Sequence, residues 1–284
     1  MKNLIYHYTS LQTLYSIIEN QSIWLTDLWS SMDKKEMSYA QKLIREEGKR
    51  VLGQDFPFLA PARNYYSFSC THNADSYFHF NCYADNCLGV AIGIDQNFLE
   101  SGVPTKECLE MVSYHLYFAD VIYNIKEHKQ KIEKNIKDKN PFFGLKNDHS
   151  LTNTYNRCLA LIKRPEFELE QEVRFIYRQD YGGSKTLIKE LNDGKKFVLN
   201  DFLNNVGLEV TSQCYEPKKV KYFCFKNRIR KYYEFSLKPF GMNNVIKSIT
   251  IGPKSQQNIN ELKEYLLAHN INAQVKKSKI ELRN

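Results

Sequence analysis

Two short motifs, far apart in the chain, carry residues that could do chemistry. His7-Tyr8-Thr9 lies on a run of β-branched and aromatic residues that is typical of a strand, and Glu170-Gln171-Glu172-Val173-Arg174 opens another such run. Residues two apart on a strand point the same way, so both carboxylates could reach one cleft beside the histidine. Two carboxylates held side by side raise the pKa of one of them, which suits an acid–base pair.

The elements that must position these motifs mix strands and helices without a steady β-α-β rhythm. Strands are predicted at 4–8, 22–27, 65–70, 86–94, 118–123, 172–178, 221–225, 230–237, 245–251 and 272–275. Helices are predicted from a cap at Thr9 or Ser10 to Glu19, and at 32–48, 125–137, 152–163 and 256–269. The sequence therefore predicts the α+β class, with residues 1–284 forming a single domain and a helical insertion at about 100–163.

Composition favours an ordinary globular protein with a basic surface. The 284 residues include 40 Lys and Arg against 32 Asp and Glu, which gives a formal charge of +8. The excess lies in local runs such as 126–139, 218–221 and 226–231. These runs fit a polyanionic partner such as nucleic acid or a phosphate-bearing cofactor, and they equally fit a solvated lysine-rich surface.

Other patterns bear on location and on metals. No run of about 18 apolar residues is present, so the sequence predicts no membrane span, and no signal peptide is visible. The cysteines number seven, with irregular spacing, which predicts reduced thiols and a cytoplasmic protein. Cys82 and Cys87 lack a second pair at zinc-site spacing, so no bound metal is expected.

An ordered set of short motifs resembles a bacterial family known only as a domain of unknown function. The set spans nearly the whole chain and comprises His7-Tyr8-Thr9, Ser67-Phe68-Ser69, Tyr83-Ala84-Asp85-Asn86 with Gly89-Val90, Glu170-Gln171-Glu172-Val173-Arg174, Ile251-Gly252-Pro253-Lys254 and Ser278-Lys279-Ile280 with Arg283. Members of that family occur beside phage-defence and mobile-element genes, so the resemblance implies a role in phage defence or in a toxin system.

The His-Tyr-Thr and Glu-x-Glu motifs are in turn similar to the ADP-ribosyltransferase-like superfamily. That similarity implies a mixed, mostly antiparallel split sheet and a reaction with NAD as substrate. Cleavage of the bond between nicotinamide and ribose passes through an oxocarbenium-like state, as glycoside hydrolysis does. A carboxylate that holds the ribose and offsets the positive charge is the main requirement of such a site.

By this resemblance, Glu172 is the first choice for the catalytic carboxylate and Glu170 the second. The alternative, in which both lie on an exposed strand edge paired with Arg174, stays open. His7 resembles the histidine that hydrogen-bonds the adenosine ribose. Thr9 belongs to the same motif, although a helix cap is its simpler role.

Further cofactor-binding residues are implied by the same resemblance. Ser67 and Ser69 resemble the Ser-x-Ser strand that orients the catalytic carboxylate, and their alternation also suits an ordinary half-buried strand. Tyr8, Tyr66 and Tyr83 are candidates to stack on the nicotinamide ring.

Three functions remain to be distinguished. The first is an NAD-dependent ADP-ribosyltransferase acting on nucleic acid or protein, or an NAD glycohydrolase, which differs only in using water as acceptor. The second is a non-catalytic nucleic-acid or nucleotide-binding sensor module that uses the basic runs and the aromatic strands. The third, disfavoured for want of a compact ligand motif, is a metal nuclease built from His7, Asp27, Glu170 and Glu172.

Overall fold

The structure is a computed structural model that describes residues 4–30, 35–53, 65–113, 115–137, 158–179, 188–208, 219–225 and 227–282. Its strands are β1 (Leu4–Thr9), β2 (Ser22–Asp27), β3 (Tyr65–Thr71), β4 (Val90–Asp95), β5 (Leu116–Asp120), β6 (Glu172–Arg178), β7 (Ile188–Glu190), β8 (Lys196–Val198), β9 (Lys221–Phe225), β10 (Arg228–Ser236), β11 (Ile246–Ile251) and β12 (Gln274–Lys277). Its α-helices are α1 (Leu11–Asn20), α2 (Glu36–Leu52), α3 (Tyr77–Tyr83), α4 (Lys106–Ser113), α5 (Ile125–Lys137), α6 (Leu199–Asn205), α7 (Met242–Val245) and α8 (Ile259–Ala268). Short 3-10 turns complete the described elements, and β7 pairs with β8 as a separate hairpin.

A large open sheet organises these elements. Its strands follow the order β12-β11-β4-β1-β3-β2-β10-β9, and β6 pairs with β3 on one side and with β5 on the other. The β11–β12 pair is parallel, and the other strand pairs of this sheet are antiparallel. The prediction of an α+β protein with a mixed, mostly antiparallel sheet is confirmed.

The sheet is interrupted beside β3. One edge of β3 pairs with β6 along its whole length, from Tyr65 to Thr71. The other edge is shared, because β2 pairs with Tyr66 and Ser67 while β1 pairs only with Thr71. Between these contacts, the stretch of β3 at residues 68–70 has no strand partner on that edge among the described residues. We call this gap the sheet interruption.

The two faces of the sheet are covered differently. The main core covers one face and includes Ile5, Phe175 and Phe235, each fully buried. The other face carries three smaller apolar clusters: one joins α2 to α5, one packs α3 against β1 and β4, and one packs Leu28 and Met37 against Tyr65 and Ile176. Because these clusters leave the middle of that face uncovered, a cavity remains between them.

The region near residues 100–163 is only partly helical. It contains α4 and α5, but β5 joins the main sheet by pairing with β6. The helix predicted at 152–163 is seen as helical residues at 158–161, and residues 138–157 lie outside the described residues. The insertion is therefore built into the sheet rather than added outside it.

A turn that follows α3 replaces the first part of the strand predicted at 86–94. That strand begins only at Val90, because Asp85, Asn86 and Cys87 all have positive φ angles. Gly89 has no room for a side chain, since a Cβ there would lie 2.1 Å from the carbonyl oxygen of Thr9. This close approach brings α3 against β1, which carries His7 and Tyr8.

Candidate functional site

A cavity of about 450 Å³ lies at the sheet interruption. Strands β1, β3 and β6 contribute to its walls, together with α3 and the loop before β6. This volume lies within the range of small-molecule sites in proteins. Seven of the nine residues predicted to form a site line this cavity, namely His7, Tyr8, Ser67, Ser69, Tyr83, Glu170 and Glu172.

The other two predicted residues do not line it. Tyr66 points to the opposite face of β3 from Ser67, because neighbouring residues on a strand alternate. Its ring lies in the core, 1% exposed, with the ring of Tyr233 at 4.6 Å. Thr9 is buried at the end of β1, and the helix cap is made by Ser10, whose Oγ accepts from the backbone N–H of Thr13 at 3.1 Å.

Glu172 is a buried carboxylate with three partners. Oε1 accepts a hydrogen bond from Ser69 Oγ at 2.6 Å. Oε2 lies 2.9 Å from Arg174 Nη2 and 3.2 Å from Lys163 Nζ. Burial alone would raise the pKa of Glu172, but the positive charges of Arg174 and Lys163 outweigh it and hold the pKa at about 2. Glu172 is therefore ionised at neutral pH, and its pKa is lowered rather than raised.

Glu170 lines the cavity, but it does so from a turn and not from the strand on which it was predicted. It ends a 3-10 turn, Pro165–Glu170, and Gln171 then turns the chain with a φ of 39°. Glu170 is therefore not on the strand with Glu172. Its carboxylate accepts from Tyr83 Oη at 2.8 Å and forms an ion pair with Lys163.

Lys163 and Arg174 hold the two carboxylates in place. Lys163 Nζ lies between Glu170 and Glu172, and it stays charged because Glu172 raises its pKa against the effect of burial. Arg174 is 2% exposed, and its Nη2 also bonds Glu36 Oε1 at 2.5 Å. The alternative in which Glu170 and Glu172 lie on an exposed strand edge is wrong, since β6 is paired on both sides and Glu172 is buried.

His7 occupies the sheet interruption itself. Its Nδ1 lies 2.8 Å from the carbonyl oxygen of Ser69, and its ring stacks on Phe68 at 4.0 Å. A carbonyl can only accept, so Nδ1 carries the proton and donates. Burial lowers the pKa of His7 to about 4, against the opposing effect of that hydrogen bond. The ring is neutral at pH 7, which leaves Nε2 as a hydrogen-bond acceptor.

The lowered pKa of His7 predicts a pH dependence of stability. Between pH 6.5, the ordinary value, and about 4, the unfolded chain binds more protons at this position than the folded protein does. The free energy of unfolding should therefore fall as the pH falls through this range. NMR titration of the His7 ring should give a midpoint near pH 4 in the folded protein and near 6.5 in urea. A folded midpoint near 6.5 would contradict a neutral ring at pH 7.

The sequence did not indicate several residues that complete the site. Glu36 comes from the first turn of α2, Lys163 lies two residues before Pro165, and Arg230 comes from β10. Arg230 lies in a basic run that was visible in the sequence, although nothing there placed it at the cavity. Glu36 and Lys163 belong to no motif, and only the tertiary structure brings them to Arg174 and Glu172.

Other features of the described residues bear on the predicted classes. No group of three or more His, Cys, Asp or Glu side chains among them is arranged to hold a metal ion. Asp27, a proposed nuclease ligand, instead lies 3.4 Å from Lys231 Nζ. Within the same described ranges, every helix is too short or too polar to cross a bilayer.

Comparison with known proteins gives one match. Residues 80–175 match the model of a family described as "Protein of unknown function (DUF2971)". The predicted resemblance to a family of unknown function is confirmed over these residues, which include Tyr83, Glu170 and Glu172 but not His7 or Ser69. No curated protein and no solved structure gives a significant match.

Proposed function

We propose that the protein is an NAD-consuming enzyme that transfers ADP-ribose to an acceptor. The observation that carries this proposal is Glu172, a buried carboxylate kept ionised at a ligand-sized cavity and oriented by Ser69. A fixed negative charge of this kind suits a reaction whose transition state gains positive charge at the sugar.

The reaction needs little from the protein beyond position and charge. The bond between the nicotinamide nitrogen and ribose C1′ breaks, and its electron pair goes to the nicotinamide ring, which becomes neutral. The acceptor then forms a bond to C1′ and gives up its proton. In the proposed site, the Glu172 carboxylate faces the developing positive charge. Glu170, on the far side of Lys163, takes the acceptor's proton.

The other residues of the cavity have consistent roles in this proposal. His7 is neutral and presents Nε2 as an acceptor for a ribose hydroxyl. Tyr8 and Tyr83 offer aromatic rings for the nicotinamide. The interrupted, mostly antiparallel sheet is the arrangement that the resemblance to ADP-ribosyltransferases implies. Water in place of a macromolecular acceptor would make the enzyme an NAD glycohydrolase.

The direct test is release of nicotinamide from NAD by the purified protein. The assay is run alone and with added RNA, DNA or cell protein, and a labelled adenine moiety is followed into the macromolecular fraction. Nicotinamide release with label transfer supports the transferase, and release without transfer supports the hydrolase. A folded protein that releases no nicotinamide under any of these conditions would contradict both.

A non-catalytic nucleotide-binding module is the second candidate. One observation favours it: the charges of Glu36, Glu170 and Glu172 are compensated by Lys163 and Arg174, as in a structural ion-pair network. Calorimetry separates the two functions, because a module would bind NAD or another nucleotide without cleaving it.

Replacing Ser69 by alanine tests how Glu172 is oriented. The substitution removes the hydrogen bond to Oε1 but leaves Arg174 and Lys163 on Oε2. We expect nicotinamide release to fall by roughly tenfold, with a stability loss of about 1 kcal/mol. Ser67→Ala is the matched control, since Ser67 lines the same cavity on the same strand and its hydroxyl makes no hydrogen bond to Glu172. Equal effects of the two substitutions would contradict an orienting role for Ser69.

A further inference from the structure

Three aromatic side chains share one face of the sheet at its β9 edge. In the strand register, Tyr232 of β10 pairs with Thr26 of β2, and Arg230 pairs with Phe223 of β9. Trp24 therefore lies on the same face as Tyr232 and Phe223, since Thr26 and Trp24 are two residues apart. Its ring stacks on Tyr232 at 4.2 Å and lies 5.4 Å from Phe223. We call Trp24, Phe223 and Tyr232 the aromatic platform.

The platform offers an open aromatic surface. Trp24 is 44% exposed, while Tyr232 beneath it is buried and supports it. Phe223 is half-buried beside them. The outer face of the indole ring is therefore available, and its position is fixed by the stacked tyrosine. A fixed, exposed indole is well suited to stack on a planar ring of a ligand.

Two arginines of β10 lie on the same face as the platform, and one of them, Arg230, lines the cavity. Arg228 is exposed, and the Arg230 guanidinium lies 5.9 Å from the Phe223 ring. Arg230 Nε is buried and has no hydrogen-bond partner among the described residues. Lys221 also lies nearby, but its charge is offset by Glu234. Within the described part of the chain, neither arginine forms an ion pair with a carboxylate, although Asp27 attracts Arg230 at longer range.

The platform is continuous with the cavity. Thr26 and Arg230 both line the cavity, and each is two residues from a member of the platform on its own strand. A ligand that stacks on Trp24 and passes Arg230 therefore reaches the cavity without crossing the sheet. The opposite side of the cavity holds Glu170 and Glu172, the proposed reaction centre.

We propose that the platform docks a single-stranded nucleic acid and presents one of its nucleotides to the cavity as the ADP-ribose acceptor. This inference rests on the proposed function for the acceptor role but not for the docking. Unpaired bases stack on aromatic side chains, while arginines neutralise the phosphates between them. A duplex keeps its bases stacked inside and cannot use the platform. A folded protein partner would need a far larger apolar surface than Trp24 and Phe223 provide.

In the group-transfer step, the bond between nicotinamide and ribose C1′ breaks, and a hydroxyl oxygen or a ring N–H nitrogen of the docked nucleotide then forms the bond to C1′. The electron pair of the broken bond stays with nicotinamide, and the acceptor's proton passes to Glu170. No oxidant or further reactant is needed.

The test is fluorescence anisotropy with labelled 12-nucleotide single strands of DNA and of RNA, and with the matching duplex, without NAD. We expect the Trp24→Ala variant to bind single strands about tenfold more weakly, because this lies within the range that base–aromatic stacking contributes. The matched control is Tyr222→Ala. Tyr222 is 65% exposed on the opposite face of the same hairpin, so its loss should leave the affinity unchanged. Arg228→Gln should weaken binding and lower its salt dependence by about one phosphate contact.

The outcomes separate the docking from the chemistry. No binding of single strands, equal binding of duplex, or equal effects of Trp24→Ala and Tyr222→Ala would overturn the inference. Trp24-dependent binding without nicotinamide release supports the docking surface but overturns the proposed function. Nicotinamide release that single strands do not stimulate and that Trp24→Ala does not alter overturns the acceptor role. A preference between the DNA and RNA arms identifies which strand is the substrate.

Discussion

The Glu172→Gln variant should lose nicotinamide release by at least about 100-fold while remaining folded. The amide keeps the shape of the carboxylate and can still bond Ser69 and Arg174, so the main change is the loss of one negative charge. Removing a preorganised electrostatic contact of this type reduces turnover by about 100- to 1000-fold in other enzymes. Because the charge acts on the transition state, kcat should fall more than the affinity for NAD.

Glu36→Gln is the matched control for this experiment. It also removes one carboxylate from Arg174, at a position that is 1% exposed. Both variants should therefore lose stability, which thermal unfolding monitored by circular dichroism would show. Only Glu172→Gln should lose most of its activity. If the two variants lost activity in proportion to stability, Glu172 would be a structural partner of Arg174 rather than a catalytic residue.

Local sequence patterns were sufficient to predict several elements of the fold. The strand at 172–178 and the helix at 125–137 were predicted with the observed bounds. In the strand, β-branched and aromatic residues are dense, and in the helix no residue interrupts the helical run. By contrast, α3 was not predicted. Ser76 is its N-cap residue, but the seven residues that follow are dominated by aromatic side chains, which are equally typical of a strand.

The candidate site was only partly predictable for a related reason. Ser67 and Ser69 were named from their resemblance to a Ser-x-Ser strand, and the alternation of side chains along β3 places Tyr66, next to Ser67, in the core. The position of Glu170 depends on the positive φ of Gln171, which no rule for non-glycine residues predicts. The backbone conformation of Gln171 decides whether Glu170 belongs to the strand or turns toward Lys163.

Charge compensation could not be predicted from sequence at all. Glu36 and Arg174 are far apart in the chain, and their contact depends on how α2 packs over the sheet. The expectation of a raised carboxylate pKa assumed that Glu170 and Glu172 faced each other alone. Lys163 lies between them and Arg174 beside Glu172, and these positive charges lower the pKa of Glu172 instead of letting it rise. Local motifs thus identified part of the site, whereas tertiary contacts added Glu36 and Lys163 and set the protonation of Glu172.

The Arg174→Met variant should be less stable than the wild-type protein by about 3–5 kcal/mol at pH 7. Methionine fills much of the same volume, but Glu36 and Glu172 then remain buried without their shared cation. Removing one partner of a buried ion pair usually has an effect of this size. Urea unfolding gives the free energy. Lys42→Met is the control, because the Lys42–Glu46 pair is exposed and should contribute less than about 1 kcal/mol.

The pH dependence of the Arg174→Met variant shows whether unpaired charge or lost packing causes its loss of stability. In the wild-type protein, the lowered pKa of Glu172 contributes stability above pH 4.5 that is lost as the pH falls toward 2. Without Arg174, burial favours the protonated form of Glu172, so the deficit of the variant should shrink as the pH is lowered from 7 to about 4. Adding Glu36→Gln and Glu172→Gln to the variant should recover part of the stability at pH 7. A deficit that stays constant with pH, or that the added substitutions do not reduce, would mean that lost packing rather than unpaired charge destabilises the variant.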